Sequence, residues 1–307
     1  MDISLIVATH NNEKTIEKAI RSALDQDFQG GYEVVVAVDA STDKTFDVVS
    51  SLTKEDDRIL AFETERSCAM ASRIDAINRS KGDYIMFLDG DDWLYPNALS
   101  LMFKTITEAD ADVVNASQTY VYKKRNWKSR LSKKKVYDRN QAISAFLSDM
   151  SFRGFLSTKM FRRAVLSNVI YPFMDRNVVY DDALYIFLSL LDSKKVLSIK
   201  TPIRYYNKAN EDSLTRVLTM RVIDNIYVRA YMRKIIEDRN EEEVRSIFRK
   251  HYIRAWSLLF VDILITKFPS KKEKRRIVKT AKKDLKHIFK GDPFETDNRS
   301  YSEALKK

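Results

Sequence analysis

Cysteine is nearly absent from this chain of 307 residues: Cys68 stands alone, which excludes an intrachain disulfide and any cysteine-based zinc cluster. Histidine is almost as scarce, and with only His10, His251 and His287 a histidine metal centre is not expected. Six glycines and five prolines leave little material for linkers, and 44% hydrophobic residues favour a compact globular chain over a disordered one. No apolar run approaches the roughly 18 residues that a membrane-spanning helix needs. The start lacks a basic segment followed by an apolar one and a small-residue cleavage site, so a cytoplasmic protein is expected. Also missing are G-x-G-x-x-G and G-x-x-x-x-G-K-[ST], so neither a dinucleotide fingerprint nor a P-loop is at hand.

The charge in excess is positive, at a formal +11, and it is unevenly placed. Residues 221–307 hold 23 Lys/Arg against 13 Asp/Glu, whereas residues 1–220 hold 31 against 30. Within the front part, Lys123 to Lys135 gathers eight basic residues around Trp127, so the remainder is net acidic. Such runs suit an anionic partner, though a solvated charged loop has the same composition.

The most informative stretch is Asp83-Tyr-Ile-Met-Phe-Leu-Asp-Gly-Asp-Asp-Trp93. Tyr84 to Leu88 is a short apolar run of the kind found in a central parallel strand, which puts Asp89, Asp91 and Asp92 at its carboxyl end. Open α/β sheets bind ligands at that end, and clustered carboxylates there repel one another unless a cation or hydrogen-bond donors are supplied. A hard divalent metal, Mg²⁺ or Mn²⁺, would take one or two of these carboxylates with water and phosphate. The plainer reading is an acidic turn in which Asp92 or Asn97 caps the next helix.

The spacing predicts a strand over Ile3–Thr9 closed by the polar turn His10-Asn-Asn12, and a helix over Glu13–Gln26. A strand over Tyr32–Val38 ends at Asp39-Ala-Ser-Thr-Asp43, followed by a helix over Lys44–Leu52, a strand over Ile59–Thr64 and a helix over Ala69–Ser80. Alternation of this kind implies βαβ units and a parallel sheet, which brings His10–Asn12, Asp39–Asp43 and Asp89–Asp92 to one edge. A helix over Asn97–Ala109, a strand of alternating character over Ala111–Tyr122, a hairpin or loop over Lys123–Lys135 and a returning strand over Lys194–Tyr206 are expected next. From Arg221 the pattern is helical only, with Val222, Ile223, Ile226, Ala230; Val244, Ile247, Phe248, Trp256; and Ile277, Ala281, Leu285, Ile288 at helical spacing.

These residues resemble the bacterial family 2 glycosyltransferases, of the kind that builds cell-surface polysaccharide or teichoic-acid glycans. ISLIVATHNN is similar to the family's opening VSVIIPTYN, VVVAVDASTDKT to VVDDGSTDGT, and GDYIMFLDGDDW to GEYIxFLDSDDW. The likeness covers about residues 1–215. Ala8 stands where the family has Pro, His10 for Tyr, Val38 for the first Asp of a pair, and Ser72-Arg73-Ile74 for Ala-Arg-Asn. The resemblance implies a GT-A, Rossmann-like α/β fold with a mostly parallel sheet flanked by helices. It implies a catalytic domain over 1–216, with a nucleotide-binding half over about 1–110 and an acceptor half over about 111–216, followed by a basic helical region over 217–307.

By that resemblance Thr9, His10, Asn12, Asp39, Arg73 and Asp89 contact the nucleotide, with Asp39 accepting N3–H of uracil, and Asp91 with Asp89 holds Mn²⁺ or Mg²⁺. Val178-Val-Tyr-Asp-Asp-Ala-Leu-Tyr185 is similar to the family's Glu-Asp motif, which makes Asp182 the catalytic base and Asp181 its neighbour. On residues alone, Asp181 could simply N-cap a helix. The family's closing segment matches Asn207–Arg216, so Arg204, Lys208, Ser213 and Arg216 would neutralise a diphosphate. The expected reaction is inverting transfer from a UDP-sugar to a hydroxyl of a glycan, teichoic-acid or lipid-linked acceptor. The basic tail suggests peripheral attachment at the inner membrane face, or a homo-oligomer built through its apolar faces. A sugar nucleotidyltransferase would share the sheet but carry a glycine-rich loop, and ATHNNEKT has no glycine. A basic nucleic-acid-binding protein would leave Asp39, Asp89, Asp91 and Asp182 repulsive and without a task, so no nucleic-acid partner is expected.

Overall fold

The structure, a computed structural model, describes residues 1–123, 125–128, 135–148, 152, 154–167, 169–174, 180–208, 228–229, 231–251, 270–272, 274–276 and 278–279. The chain divides into two compact units, Met1–Arg216 and Val217–Lys307.

The first unit begins with β1 (Ile3–Thr9), α1 (Ile16–Leu24), β2 (Tyr32–Asp39), α2 (Thr45–Thr53), β3 (Ile59–Thr64), α3 (Ala69–Arg79) and β4 (Tyr84–Asp89). It continues with β5 (Trp93–Leu94), α4 (Ala98–Glu108), β6 (Val113–Val121), β7 (Asn126–Lys128), β8 (Lys135–Asp138) and α5 (Arg139–Ser148). A 3₁₀ turn (Leu156–Thr158), β9 (Lys159–Arg162), α6 (Arg163–Ser167), α7 (Asp181–Leu191) and β10 (Lys195–Asn207) complete it. The β-branched strands β1 and β2 are buried on both faces because helices cover both sides, and each fully buried Val or Ile contributes about 1.5–3 kcal/mol over exposure. In α1 the apolar stripe Ile16, Ala19, Ile20 and Ala23 faces the sheet.

One sheet runs in the order β3-β2-β1-β4-β9-β6-β10-β5, with β7 on β6 and β8 on β10. Pairs β2–β3, β1–β2 and β1–β4 are parallel, as is β6–β10. The order 3-2-1-4 reverses direction between β1 and β4, which opens a crevice at their carboxyl ends. Gly90 sits at this junction: a Cβ there would lie 2.5 Å from Thr9 Oγ1 and 2.9 Å from Asn12 Oδ1, so only glycine lets the two turns approach this closely.

Three expectations need correction. β4 is parallel to β1 only, and its other neighbour, β9, is antiparallel, because a short return strand closes that side. Helix α1 starts at Ile16 rather than Glu13, since Glu13 is bound to the next loop: its N–H donates to Asp43 at 3.1 Å and its carboxylate accepts from the Lys44 N–H at 3.1 Å. β6 has no wet face. Asn115, Ser117, Gln118 and Thr119 are all buried, and Asn115 and Gln118 bond to side chains of β10.

In the second unit the described residues include helical runs over 231–238 and 242–251. Val228, Met232 and Ile236, then Val244 and Phe248, are buried at four-residue spacing, which is the apolar stripe of a packed helix. Ile223, Trp256 and the Ile277–Ile288 stripe lie outside the described residues. Among the described residues no helix is long and apolar enough to cross a membrane.

Candidate active site

The carboxyl edge of β1, β2 and β4 is tied together by its own turns. Asn12 Oδ1 accepts from Thr9 Oγ1 (2.9 Å) and the His10 N–H (3.3 Å), while the Asn12 N–H donates to Thr45 Oγ1 at 2.8 Å. His10 Nδ1 lies 2.6 Å from the Asp39 carbonyl oxygen, which can only accept, so Nδ1 carries the proton. Asp39, 5% exposed, accepts the Ser67 N–H on Oδ1 (2.8 Å) and the Cys68 N–H on Oδ2 (2.9 Å), fixing the entry to α3. Left-handed backbone at Asn11, Ala40, Ser67 and Tyr180 marks the loops of this edge, with φ of 50°, 45°, 49° and 77°. Ala40 occupies the position that is glycine in the pattern VVDDGSTDGT, and for a residue with a Cβ that conformation costs about 1–2 kcal/mol.

Beside this edge lies a cluster of carboxylates around two guanidiniums. Arg73 on α3 donates to Asp89 Oδ1 at 2.8 Å and to Asp182 Oδ1 at 3.2 Å, and pairs with Asp181 at 3.5 Å. Arg204 on β10 pairs with Asp89 Oδ2 at 3.1 Å, binds Asp92, and donates from Nε and Nη2 to Gln118 Oε1 at 2.9 and 2.7 Å. Ser157 Oγ donates to Asp89 Oδ2 at 3.0 Å, and the Leu156 N–H donates to Asp182 Oδ2 at 3.2 Å. The 3₁₀ turn therefore reaches both the strand-end acid and the candidate base.

Asp89, Asp92, Asp181 and Asp182 outnumber Arg73 and Arg204, and the protons reflect that imbalance. Burial works against the Asp89 anion, yet Arg73 and Arg204 outweigh it and hold Asp89 below the usual carboxylate range. Burial pushes Asp92 up to about 8, against the pull of Arg204. Burial, then the neighbouring Asp182, pushes Asp181 up to about 7, and burial raises Asp182 as well, with Arg73 opposing. Burial alone would lower Arg73, but Asp182, Asp89 and Asp181 raise it above its ordinary value.

The structure thus brings Arg73, Asp89, Asp181 and Asp182 together and places Thr9, His10, Asn12 and Asp39 on the adjoining turns. Arg204 requires correction. It is a strand residue 1% exposed and spends its donors on Asp89, Asp92 and Gln118, so it is a buried counter-ion and not part of a closing loop. Asp92 does not cap α4: it is 1% exposed, binds Arg204 and accepts the Asn207 N–H at 2.8 Å, and Asn97 makes no side-chain cap either. Asp181 is the first residue of α7, behind Tyr180, and its carboxylate accepts the Asp182 N–H at 2.7 Å. Lys208 Nζ lies 3.2 Å from the Tyr206 hydroxyl. Ser213 and Arg216 lie outside the described residues.

Among the described residues no three His, Cys, Asp or Glu side chains converge as a ready-made metal cage. Asp89 spends three of its four acceptor positions on Arg73, Arg204 and Ser157. Hard oxygen donors and the surplus of carboxylates still fit Mg²⁺ or Mn²⁺, which needs few protein ligands when phosphate and water supply the rest. Sequence reasoning missed Gln118, Ser157 and Tyr171. The Tyr171 hydroxyl is buried without a hydrogen-bond partner among the described residues, and burial with Asp181 nearby raises its proton affinity. No periodicity in the sequence distinguishes these residues from ordinary core positions.

A mixed α/β sheet flanked by helices, in the order found here, is the fold of GT-A glycosyltransferases. The fold matches that of TarS from S. aureus, solved with UDP-GlcNAc, with a TM-score of 0.71 at 20% identity over 92% of this chain and 80% of that one. It also matches a mannosyltransferase from Pyrobaculum calidifontis solved with GDP-Man and Mn²⁺, with a TM-score of 0.58 at 17% identity over 92% of this chain and 86% of that one. By sequence, residues 4–170 match the family Glycosyl transferase family 2, and the chain belongs to it. The chain is 26% identical over 265 residues to the poly(ribitol-phosphate) beta-N-acetylglucosaminyltransferase TarP of Staphylococcus aureus, covering 82% of this chain and 78% of TarP. In three further relatives the match spans only 60%, 16% and 36% of the other protein's length.

Proposed function

We propose that this chain transfers a sugar from a UDP-sugar, with inversion, to a hydroxyl of a cell-surface glycan, a teichoic acid or a lipid-linked precursor. One observation carries the reading: a single guanidinium, Arg73, holds both the strand-end Asp89 and the candidate base Asp182, at 2.8 and 3.2 Å. Donor edge and base are thereby set against each other by a rigid fork.

In this reading residues 1–216 are the catalytic domain, with the nucleotide on residues 1–110 and the acceptor on 111–216. Uracil is selected by Asp39, whose two oxygens each keep a lone pair after accepting from Ser67 and Cys68. Asp182 takes the proton of the acceptor hydroxyl as its oxygen bonds to the anomeric carbon. The bond from that carbon to the diphosphate oxygen breaks, and its electron pair leaves with UDP. A carboxylate whose proton affinity is raised by burial is suited to accept that proton near neutrality. Asp91, with the remaining acceptor position of Asp89, would hold Mn²⁺ or Mg²⁺, which supplies Lewis-acid stabilisation of charge on the departing diphosphate. Lys208 belongs to the same diphosphate side. Residues 217–307, with their surplus of positive charge, serve attachment to the anionic inner membrane face, or pack as a homo-oligomer.

The test is a panel of nucleotide sugars scored by acceptor-independent hydrolysis and thermal shift, with Mn²⁺ and with EDTA. Asp182→Asn should lower turnover about 10²–10⁴-fold while leaving UDP-dependent thermal shift intact. An Asp182→Asn variant that turns over normally would remove the base from this scheme.

A further inference from the structure

The hairpin of β6 and β7 lies outside the machinery described so far. Its strands pair antiparallel with Tyr120 opposite Trp127, so the two rings share one face, and they stack at 5.8 Å with an interplanar angle of 23°. Tyr120 is buried beneath, while Trp127 is 51% and Tyr122 41% exposed. Residues 119–128 contain four basic residues and no acidic one, so this stretch carries a surplus of positive charge. Lys123, Arg125 and Lys128 are all exposed.

The rings do not stop at the hairpin. Tyr120 contacts Tyr206 at 5.7 Å, and Tyr206 contacts Phe155 at 5.7 Å and lies under the Arg204 guanidinium at 4.9 Å. Phe155 precedes Leu156, whose N–H holds Asp182, and Arg204 holds Asp89. An aromatic row therefore runs from an exposed, cation-flanked tryptophan to the candidate base.

We propose that this hairpin is a binding platform for a phosphate-bearing glycan acceptor, its rings or polyol carbons lying on Trp127 and its phosphates met by Arg125, which shares the Trp127 face of the hairpin. The inference rests on the glycosyl-transfer reading above. Aromatic faces offer flat apolar contact at low entropic cost, and guanidinium and ammonium groups match phosphate oxygens. A membrane anchor would present its rings tip-first to lipid, whereas Trp127 is laid flat on Tyr120 and the row leads inward.

The experiment uses the full chain with UDP-GlcNAc and two acceptor probes, a poly(ribitol phosphate) oligomer and a neutral glucan oligomer. Trp127→Ala should raise KM for the phosphate-bearing probe roughly tenfold while leaving kcat and acceptor-independent donor hydrolysis within about twofold. Trp127→Tyr should restore most of the affinity. Arg125→Gln should raise KM about threefold and flatten its dependence on salt. Direct calorimetric titration of the same probe reads the platform even if Trp127→Ala impairs folding, because Trp127→Tyr and Arg125→Gln then carry the comparison. Unchanged KM and titration in all three variants, with hydrolysis intact, would overturn the platform alone. Absence of donor hydrolysis and of transfer in the wild type would instead overturn the glycosyl-transfer reading. Hairpin-dependent binding of RNA or of anionic vesicles, with no binding of the phosphate-bearing probe, would also overturn the platform.

Discussion

At the ends of β2 and its loop the carboxylates are neutralised by backbone amides, whereas at the end of β4 and the start of α7 they are neutralised by buried guanidiniums. Asp39 accepts two N–H groups, from Ser67 and Cys68, and Asp43 accepts those of Glu13 and Thr45. Asp89, Asp92 and Asp182 depend on Arg73 and Arg204, which come from α3 and β10. An amide dipole holds an anion without adding a charge, so the first region is complete by itself. The second region joins full charges in unequal number, and it therefore titrates.

Breaking the guanidinium region should have the largest effect. Arg204→Met removes one of the two cations that hold Asp89 ionised and leaves Asp92 and Gln118 without their buried donor, and is expected to cost about 3–5 kcal/mol of stability, read by urea melts at neutral pH. A melt indistinguishable from wild type would mean that Arg204 is not the counter-ion that the geometry makes it. Asp39→Asn should cost less, about 1–3 kcal/mol, because one amide loses its acceptor but no charge is stranded. The same variant should narrow the preference for UDP over CDP in thermal shift.

A smaller effect sharpens the contrast. Asp92 and Asp181 have folded-state values of about 8 and 7, raised above the ordinary carboxylate value. Their stabilisation is therefore full below about pH 4 and lost as pH rises through 7 to 8. Thermal stability should fall by a few degrees across that interval. Asp92→Asn should flatten the stability profile. A profile as steep as that of the wild type would erase the distinction between the regions.

Much of the catalytic edge is legible in the chain because parallel strands point their carboxyl ends one way: once Ile3–Thr9, Tyr32–Val38 and Tyr84–Leu88 are read as strands, His10, Asp39 and Asp89 must share an edge. The motif at Asp181-Asp182 was readable from resemblance, and so was Arg73 within α3. What Arg204 and Asp92 do was not. A basic residue near the end of a strand has the same composition whether it reaches solvent or the core, and a turn aspartate looks alike as helix cap and as buried ion. Gln118, Ser157 and Tyr171 carried no signal either, since β6 reads as half-wet until β9 and β10 cover it. Hydrophobic periodicity and turn chemistry act between neighbours, so the sequence by itself determined β1 to β4, the helices between them and the shared acidic edge. Burial and ion pairing act between residues 109 and 115 positions apart, as in Arg73–Asp182 and Asp89–Arg204, and only the tertiary structure decided which carboxylate meets which cation.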